Sequence, residues 1–359
     1  MTGMNRLTKE KRKIRPVGFT EGLFGVFSLF CIALILKNTE AAVEYVTRGL
    51  RLSASTVIPS LFPFMVLSEL VVSSSATSRI PPPLLAPFRR LLGLPDVGVC
   101  AVLLGLLCGF PVGARCIVAA YEAGDLTQSE AERAFTAASC PSSAFLVGAV
   151  GGSLWGNRRF GIALYATVVL ASLLSGVLAN LLQAKRNNDA PPKVAFSVTR
   201  QSKSPAALFC EAVRSSLFAI LTVCAYVVFF SALMGTLELV LGRLSVSGIV
   251  GAGLSCLFEL SGGVAQASAL GNAYTGACLC AFAVGWSGLS VHCQMMSVCD
   301  GKGLSLRPYL LSKLFQGLFC ALFFALLLAL FPEILLPAEV CGGTGARFFV
   351  GGAVLWGNL

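Results

Sequence analysis

Apolar runs of about twenty residues, set apart by short polar or basic stretches, dominate this chain, and that is the length a helix needs to cross hydrocarbon. The pattern predicts membrane helices over residues 17–36, 53–72, 160–182, 206–241 and 309–331. Thr39 to Arg51 (TEAAVEYVTRGLR) places charge on one side and apolar residues on the other, the signature of an interfacial amphipathic helix. Pro59 and Pro63 predict a kink in the span that follows. Residues 73–96, with Pro81-Pro82-Pro83 and Arg89-Arg90, read as a loop. Thr127 with Glu130 three residues later predicts a capped surface helix near residues 122–133.

The other apolar runs are interrupted. Within residues 97–120, Gly109-Phe110-Pro111-Val112-Gly113 falls at the centre, with Arg115 just beyond. A re-entrant hairpin of two half-helices accommodates such a centre, because irregular backbone at membrane depth persists only where protein buries it or it borders a polar cavity. Residues 246–270 carry a weaker echo, broken at Glu259-Leu260-Ser261-Gly262-Gly263. Residues 134–152 are interrupted at Ser139-Cys140-Pro141-Ser142-Ser143, and residues 272–298 between Gly285 and His292. Each half therefore reads as hairpin, broken span, continuous span.

The expected fold is an all-α polytopic membrane protein, an inverted repeat with two re-entrant helical hairpins and two discontinuous transmembrane helices. Paired broken segments in the two halves point to a transporter binding site. The expected organisation is a basic cytoplasmic N-terminus (1–16), N-terminal helices and loop (17–96), a first repeat (97–182), a basic cytoplasmic linker (183–205), a second repeat (206–332) and a tail (333–359). Residues 348–356 are too short to cross and are expected at the interface.

Composition agrees with this drawing. The chain is 56% hydrophobic and only 12% charged, against about 25% charge in soluble domains. A net charge of +10 could suggest nucleic acid. The basic residues instead gather in loops that share one side when the N-terminus is cytoplasmic, so they set orientation. The fourteen cysteines sit mostly in apolar runs without a paired CxxC; they read as small buried hydrophobes rather than metal ligands or a disulfide framework. No small-residue cleavage site follows Leu36, so residues 17–36 read as a retained helix. The chain has no phosphate-binding glycine loop, HExxH or GxSxG. Neither an enzyme, a cofactor nor a metal is expected.

LFPFMVLSEL (residues 61–70), GLLCGFPVGAR (105–115), GWSGLSVHCQ (285–294) and LSLRPYLLSKL (304–314) resemble the YlbJ-type sporulation integral membrane proteins. That family is placed in the Gate, or nucleoside-recognition, group, which is similar to the core of concentrative nucleoside transporters. The resemblance runs from about residue 41 to residue 331. It implies a transporter of the spore-forming envelope, in the mother-cell-derived membrane around the forespore, moving dipicolinic acid toward the forespore. It also implies a possible homo-oligomer by analogy with the trimeric nucleoside carriers. One departure stands out: Cys140-Pro141-Ser142-Ser143 occupies a position where the family commonly shows an Asn-rich stretch.

A flat dicarboxylate needs positive potential and a slot for its ring. Arg115 is the expected anchor, since a guanidinium grips a carboxylate bidentately; the alternative is a structural ion pair with a buried acid such as Glu259. The hairpin tips, Gly109, Pro111, Val112 and Gly113 in the first and Ser261, Gly262 and Gly263 in the second, would offer backbone amides at half-helix N-termini, or else pack through small residues. Ser142, Ser143, Ser287, Ser290 and Gln294 would meet across the two broken spans. Trp286 would wall the ring or simply pack. His292, the chain's one histidine, reads as a proton relay or a satisfied buried side chain. Glu69 reads as a coupling residue or a polar contact at a kink. A nucleoside carrier and a sporulation membrane scaffold are the competing functions. The linker is too short for the folded domain a scaffold would carry.

Overall fold

A computed structural model of the chain describes residues 19–73, 80–184, 204–243 and 248–335. The expected basic N-terminus, most of the linker and the C-terminal interfacial segment lie outside these residues.

Helix α1 (Phe19–Lys37) is followed after Asn38 by α2 (Thr39–Leu52), which continues through one wide turn (Ser53–Val57) into α3 (Ile58–Ser73). The sequence reading separated an interfacial helix from the next span here, and the structure joins them. No breaker stands between Arg51 and Ser53. Pro59 has no N–H to donate to the Ser55 carbonyl, and the turn before it widens, with the Ile58 amide reaching back to the Ser53 carbonyl. Helix α2 instead lies along α9.

Residues 73–96 are also not all loop. Helix α4 (Pro82–Leu92) begins with proline in its first turn and ends on Gly93 at φ 62°. Proline is tolerated at a helix start and glycine at its end, so the three prolines mark an N-terminus rather than a coil. Beyond Gly93, α5 (Asp96–Cys108) sets off at 89° to α4.

Helix α6 (Phe110–Glu122) folds back along α5. A Cβ on Gly105 would lie 2.5 Å from the Ala138 carbonyl oxygen, and one on Gly113 would lie 2.6 Å from the Gly105 Cα. The two backbones meet only because both positions lack a side chain. Helix α7 (Gln128–Ala138) carries the expected capping box, the Thr127 hydroxyl accepting from the Glu130 amide and the Glu130 carboxylate accepting from the Thr127 amide. Thr127→Ala should lower stability by about 1 kcal/mol, read as a small fall in melting temperature; an unchanged melting temperature would show that the cap contributes nothing.

After an interruption at residues 139–143, a π-helical segment (Ala144–Leu154) leads to α8 (Arg158–Ala184). The second half holds α9 (Pro205–Arg243), α10 (Gly248–Phe258), α11 (Leu260–Ser268), α12 (Ala273–Trp286), α13 (Gly288–Cys299) and α14 (Arg307–Leu330). Helix α11 packs back on α10, and α12 and α13 form one line interrupted at Ser287. The core gathers α5 to α8 with α11, α12 and α14, while Val112 joins a second apolar cluster with Met65, Ile220 and Val223.

Among the described residues five helical stretches are long and apolar enough to cross a membrane, or six if the bent α4–α5 pair counts as one. Their outer faces expose large apolar side chains such as Phe218 (66%) and Leu322 (74%). Helices leave no backbone polar group for hydrocarbon to strand. This is a helical, polytopic membrane protein.

Candidate functional site

Four helix interruptions meet at the centre. The first is Gly109, which ends α5 and starts α6 at φ 99° and ψ 165°, a conformation open to glycine alone. Helix ends leave carbonyls and amides without intrahelical partners, and here the next interruption supplies them. The Phe110 amide donates to the Cys140 carbonyl at 2.8 Å. The Ser143 hydroxyl donates to the Leu107 carbonyl at 3.2 Å, and the Tyr165 hydroxyl to the Leu106 carbonyl at 3.0 Å. Ser142 turns its oxygen to the Phe145 amide and caps the segment after it.

The third and fourth interruptions are seated on each other in the same manner. Glu259 is extended between α10 and α11 and only 3% exposed. Its carboxylate accepts from the Ser261 amide at 3.0 Å and the Gly262 amide at 2.5 Å. The Trp286 indole donates to the Leu257 carbonyl near the end of α10 at 3.0 Å. Ser287 is the one non-glycine residue at positive φ (74°) among the described residues; such a conformation costs on the order of 1–3 kcal/mol and is found mainly at functional sites. A Cβ on Gly288 would lie 3.0 Å from the Leu260 nitrogen, so this junction lies against Glu259.

The first three junctions and the start of α13 just beyond the fourth, together with Val57, Leu61, Val223 and Val227, line a partly open cavity of about 50 Å³. Of the residues singled out from sequence, Gly109, Pro111, Ser142, Glu259, Ser261, Ser290 and Gln294 line it. The Ser290 hydroxyl and the Gln294 carbonyl oxygen are buried there without a hydrogen-bond partner, and buried polar atoms are rarely left so. Phe110, Pro111, Val223 and Gln294 also border an adjoining vestibule of about 530 Å³, which holds Arg115 and Glu69. The inner cavity has room for a few waters and the vestibule for a small solute.

Arg115 pairs with Glu69 at 3.4 Å and donates to the Ser215 hydroxyl and, at 3.4 Å, to the Ser215 carbonyl. Its acid partner is thus Glu69, not Glu259. Glu259 serves α11, and nearer residues take the tip amides expected to face a ligand. Val112 and Gly113 donate to the Gly109 carbonyl, Gly263 to the Glu259 carbonyl, and Ser261 and Gly262 to the Glu259 side chain. Val112 lies in the second apolar cluster, Gly113 on Gly105, and Gly263 on the Cys256 backbone. Ser287 donates to the Val284 carbonyl at 3.4 Å. His292 is buried, its Nδ1 2.9 Å from the Tyr309 hydroxyl and its ring edge-on to Trp286; its Nε2 has no hydrogen-bond partner.

Two charged residues inside apolar helices escaped the sequence reading, although an ionisable group in a span is a signal by itself. Glu238 accepts from Tyr45 at 2.7 Å, from Ser255 at 3.3 Å and from Gln266, joining α2, α9, α10 and α11. Lys313, on α14, is fully buried and donates to the Ser139 carbonyl at 2.7 Å.

Fold and cavity define a polytopic helical membrane protein with interrupted helices around a central cavity. The chain is similar to the sporulation integral membrane protein YlbJ of Bacillus subtilis (strain 168), 25% identical over 337 residues, covering 85% of this chain and 82% of the other. No family model matches it, and no solved structure does.

Proposed function

We propose that the protein is a carrier for a small planar organic anion, with dipicolinate as the test solute, working by alternating access around its two helix pairs. The observation that carries this reading is the meeting of three helix interruptions and the start of α13 on one cavity whose Ser290 and Gln294 oxygens have no partner. In this reading α5–α6 and α10–α11 are re-entrant hairpins from opposite leaflets, the halves are inverted repeats, and the N-terminus is cytoplasmic. Helix pairs, interrupted helices and continuous helices follow in the same order in both halves, which supports that arrangement. The similarity to a sporulation membrane protein supports a place in a membrane of a sporulating cell, and in this reading that membrane is the mother-cell-derived one around the forespore.

The inner cavity is too small for an aromatic dicarboxylate and the vestibule is not. The solute therefore enters at the vestibule, where Arg115 and Glu69 are each partly exposed. A substrate carboxylate replaces Glu69 on the guanidinium, and separation of the two helix pairs then opens the inner cavity. Purified protein in liposomes should accumulate dipicolinate in preference to uridine. Arg115→Ala should lower that uptake at least tenfold while the protein inserts normally; unchanged uptake removes Arg115 as the anchor.

A nucleoside carrier is the second reading, favoured by the neutral hydrogen-bonding groups of Ser142, Ser261, Ser290 and Gln294 in the cavity wall. A preference for uridine in the same liposomes would establish it.

A further inference from the structure

Lys313 is 0% exposed, six residues into α14. An ammonium has three protons to place. The Ser139 carbonyl takes one at 2.7 Å and Gln316 Oε1 another at 2.9 Å. Gln316 is fixed in turn by donating to the Thr136 carbonyl at 2.8 Å and the Ser175 hydroxyl at 3.2 Å. Helices α7, α8 and α14 thus hold the ammonium in place.

Among the described residues no carboxylate forms an ion pair with Lys313, whereas the vestibule cations Arg115 and Lys302 are paired with Glu69 and Glu122. A buried charge without a counter-ion is costly, and charges retained inside spans face a cavity, a partner or an ion path. The carbonyl end of α7 offsets about half a charge. Ser139 precedes Pro141 and Ser142 of the cavity wall by two and three residues, so the chain keeps the carbonyl that holds the ammonium within about 10 Å of that wall.

We propose that Lys313 is the fixed positive charge that makes the central cavity select a carboxylate-bearing solute over a neutral solute of the same shape. The inference rests on the carrier reading of that cavity and adds the residue that sets its substrate class. Lys313 acts through space across the α7 interruption, as a specificity residue that does not touch the solute. Glu259 lines the cavity as a carboxylate held by the amides of Ser261 and Gly262; it acts on a solute equally in wild type and in a Lys313 variant, so a change in preference between them reports Lys313. Opposite unit charges at this separation, in an effective dielectric of about 20, are worth roughly tenfold in affinity for each carboxylate.

The test uses purified full-length protein and two matched pairs, dipicolinate with its neutral diamide and benzoate with benzamide, with binding measured by calorimetry. Wild type should prefer the carboxylate of each pair. Lys313→Gln keeps a donor for the Ser139 carbonyl and loses the charge, so the ratio should fall at least tenfold with amide binding unchanged. Lys313→Met should do the same where it folds, and Lys313→Arg should retain the preference. An unchanged ratio in Lys313→Gln, or an equal loss in Lys313→Arg, overturns the assignment. Wild type that binds the amides but not the carboxylates overturns the role of Lys313 and the organic-anion reading together, whereas wild type that prefers the carboxylates with an unchanged ratio in Lys313→Gln overturns the role of Lys313 alone. Wild type that binds neither class overturns both.

Discussion

Glu259→Ala should destabilise the protein by about 3 kcal/mol and abolish uptake. The start of α11 loses its N-cap: the amides of Ser261 and Gly262 lose their acceptor in a site that is almost closed to water. Each buried donor left without a partner costs about 1–3 kcal/mol, and the small cavity beside Ser261 admits water to offset part of it. Glu259→Gln separates cap from charge. One amide keeps a side-chain oxygen, so about half the stability loss is expected, and removing a negative charge from the cavity wall should leave anion binding as tight or tighter. Thermal melts of the detergent-solubilised protein with parallel binding assays would settle it. A Glu259→Ala variant that melts with wild type would mean the carboxylate is not the cap of α11.

The second large effect is expected at Gly105 and Gly113. Valine at either position should abolish the monodisperse folded protein in size-exclusion chromatography. A single Cβ on Gly105 already meets the Ala138 carbonyl oxygen at 2.5 Å, and one on Gly113 meets the Gly105 Cα at 2.6 Å. The obstacles are backbone, so no side chain can swing aside. Overpacking in cores costs about 1–3 kcal/mol even where neighbours yield, and here relief requires parting α5 from α6 or from α7. Parting them would pull Gly109 from Ser142 and break the Phe110 to Cys140 hydrogen bond, opening the cavity. Gly148→Val is the control, since nothing lies within 4 Å of a Cβ there and no loss is expected. A well-folded Gly105→Val protein would show that the α5–α6 contact is not as close as described.

Much of the helical layout was legible in the chain itself. The apolar runs gave most of the long helices, and the interruptions at Gly109, Ser139–Ser143, Glu259 and Ser287 came from glycine, proline and polar residues inside them. The capping box at Thr127 and Glu130 is equally local, three residues end to end. Residues 82–92 were misread because their prolines suggest coil, whereas proline in the first turn is compatible with a helix. The division at Ser53 was misread because a change in amphipathicity is not a break in the backbone.

What the sequence determined alone is what neighbouring residues decide: which stretches can cross hydrocarbon, and where their hydrogen-bond ladders must stop. Tertiary structure decided where the freed groups and buried charges find partners. Arg115 meets Glu69 and Ser215 rather than Glu259, the tip amides turn to Glu259 and Gly109 rather than to a ligand, and Lys313 reaches Ser139 across 174 residues of chain. The physical reason is that an unpaired polar group in a membrane interior takes the nearest complementary group in space, and the packing of distant helices sets that neighbour.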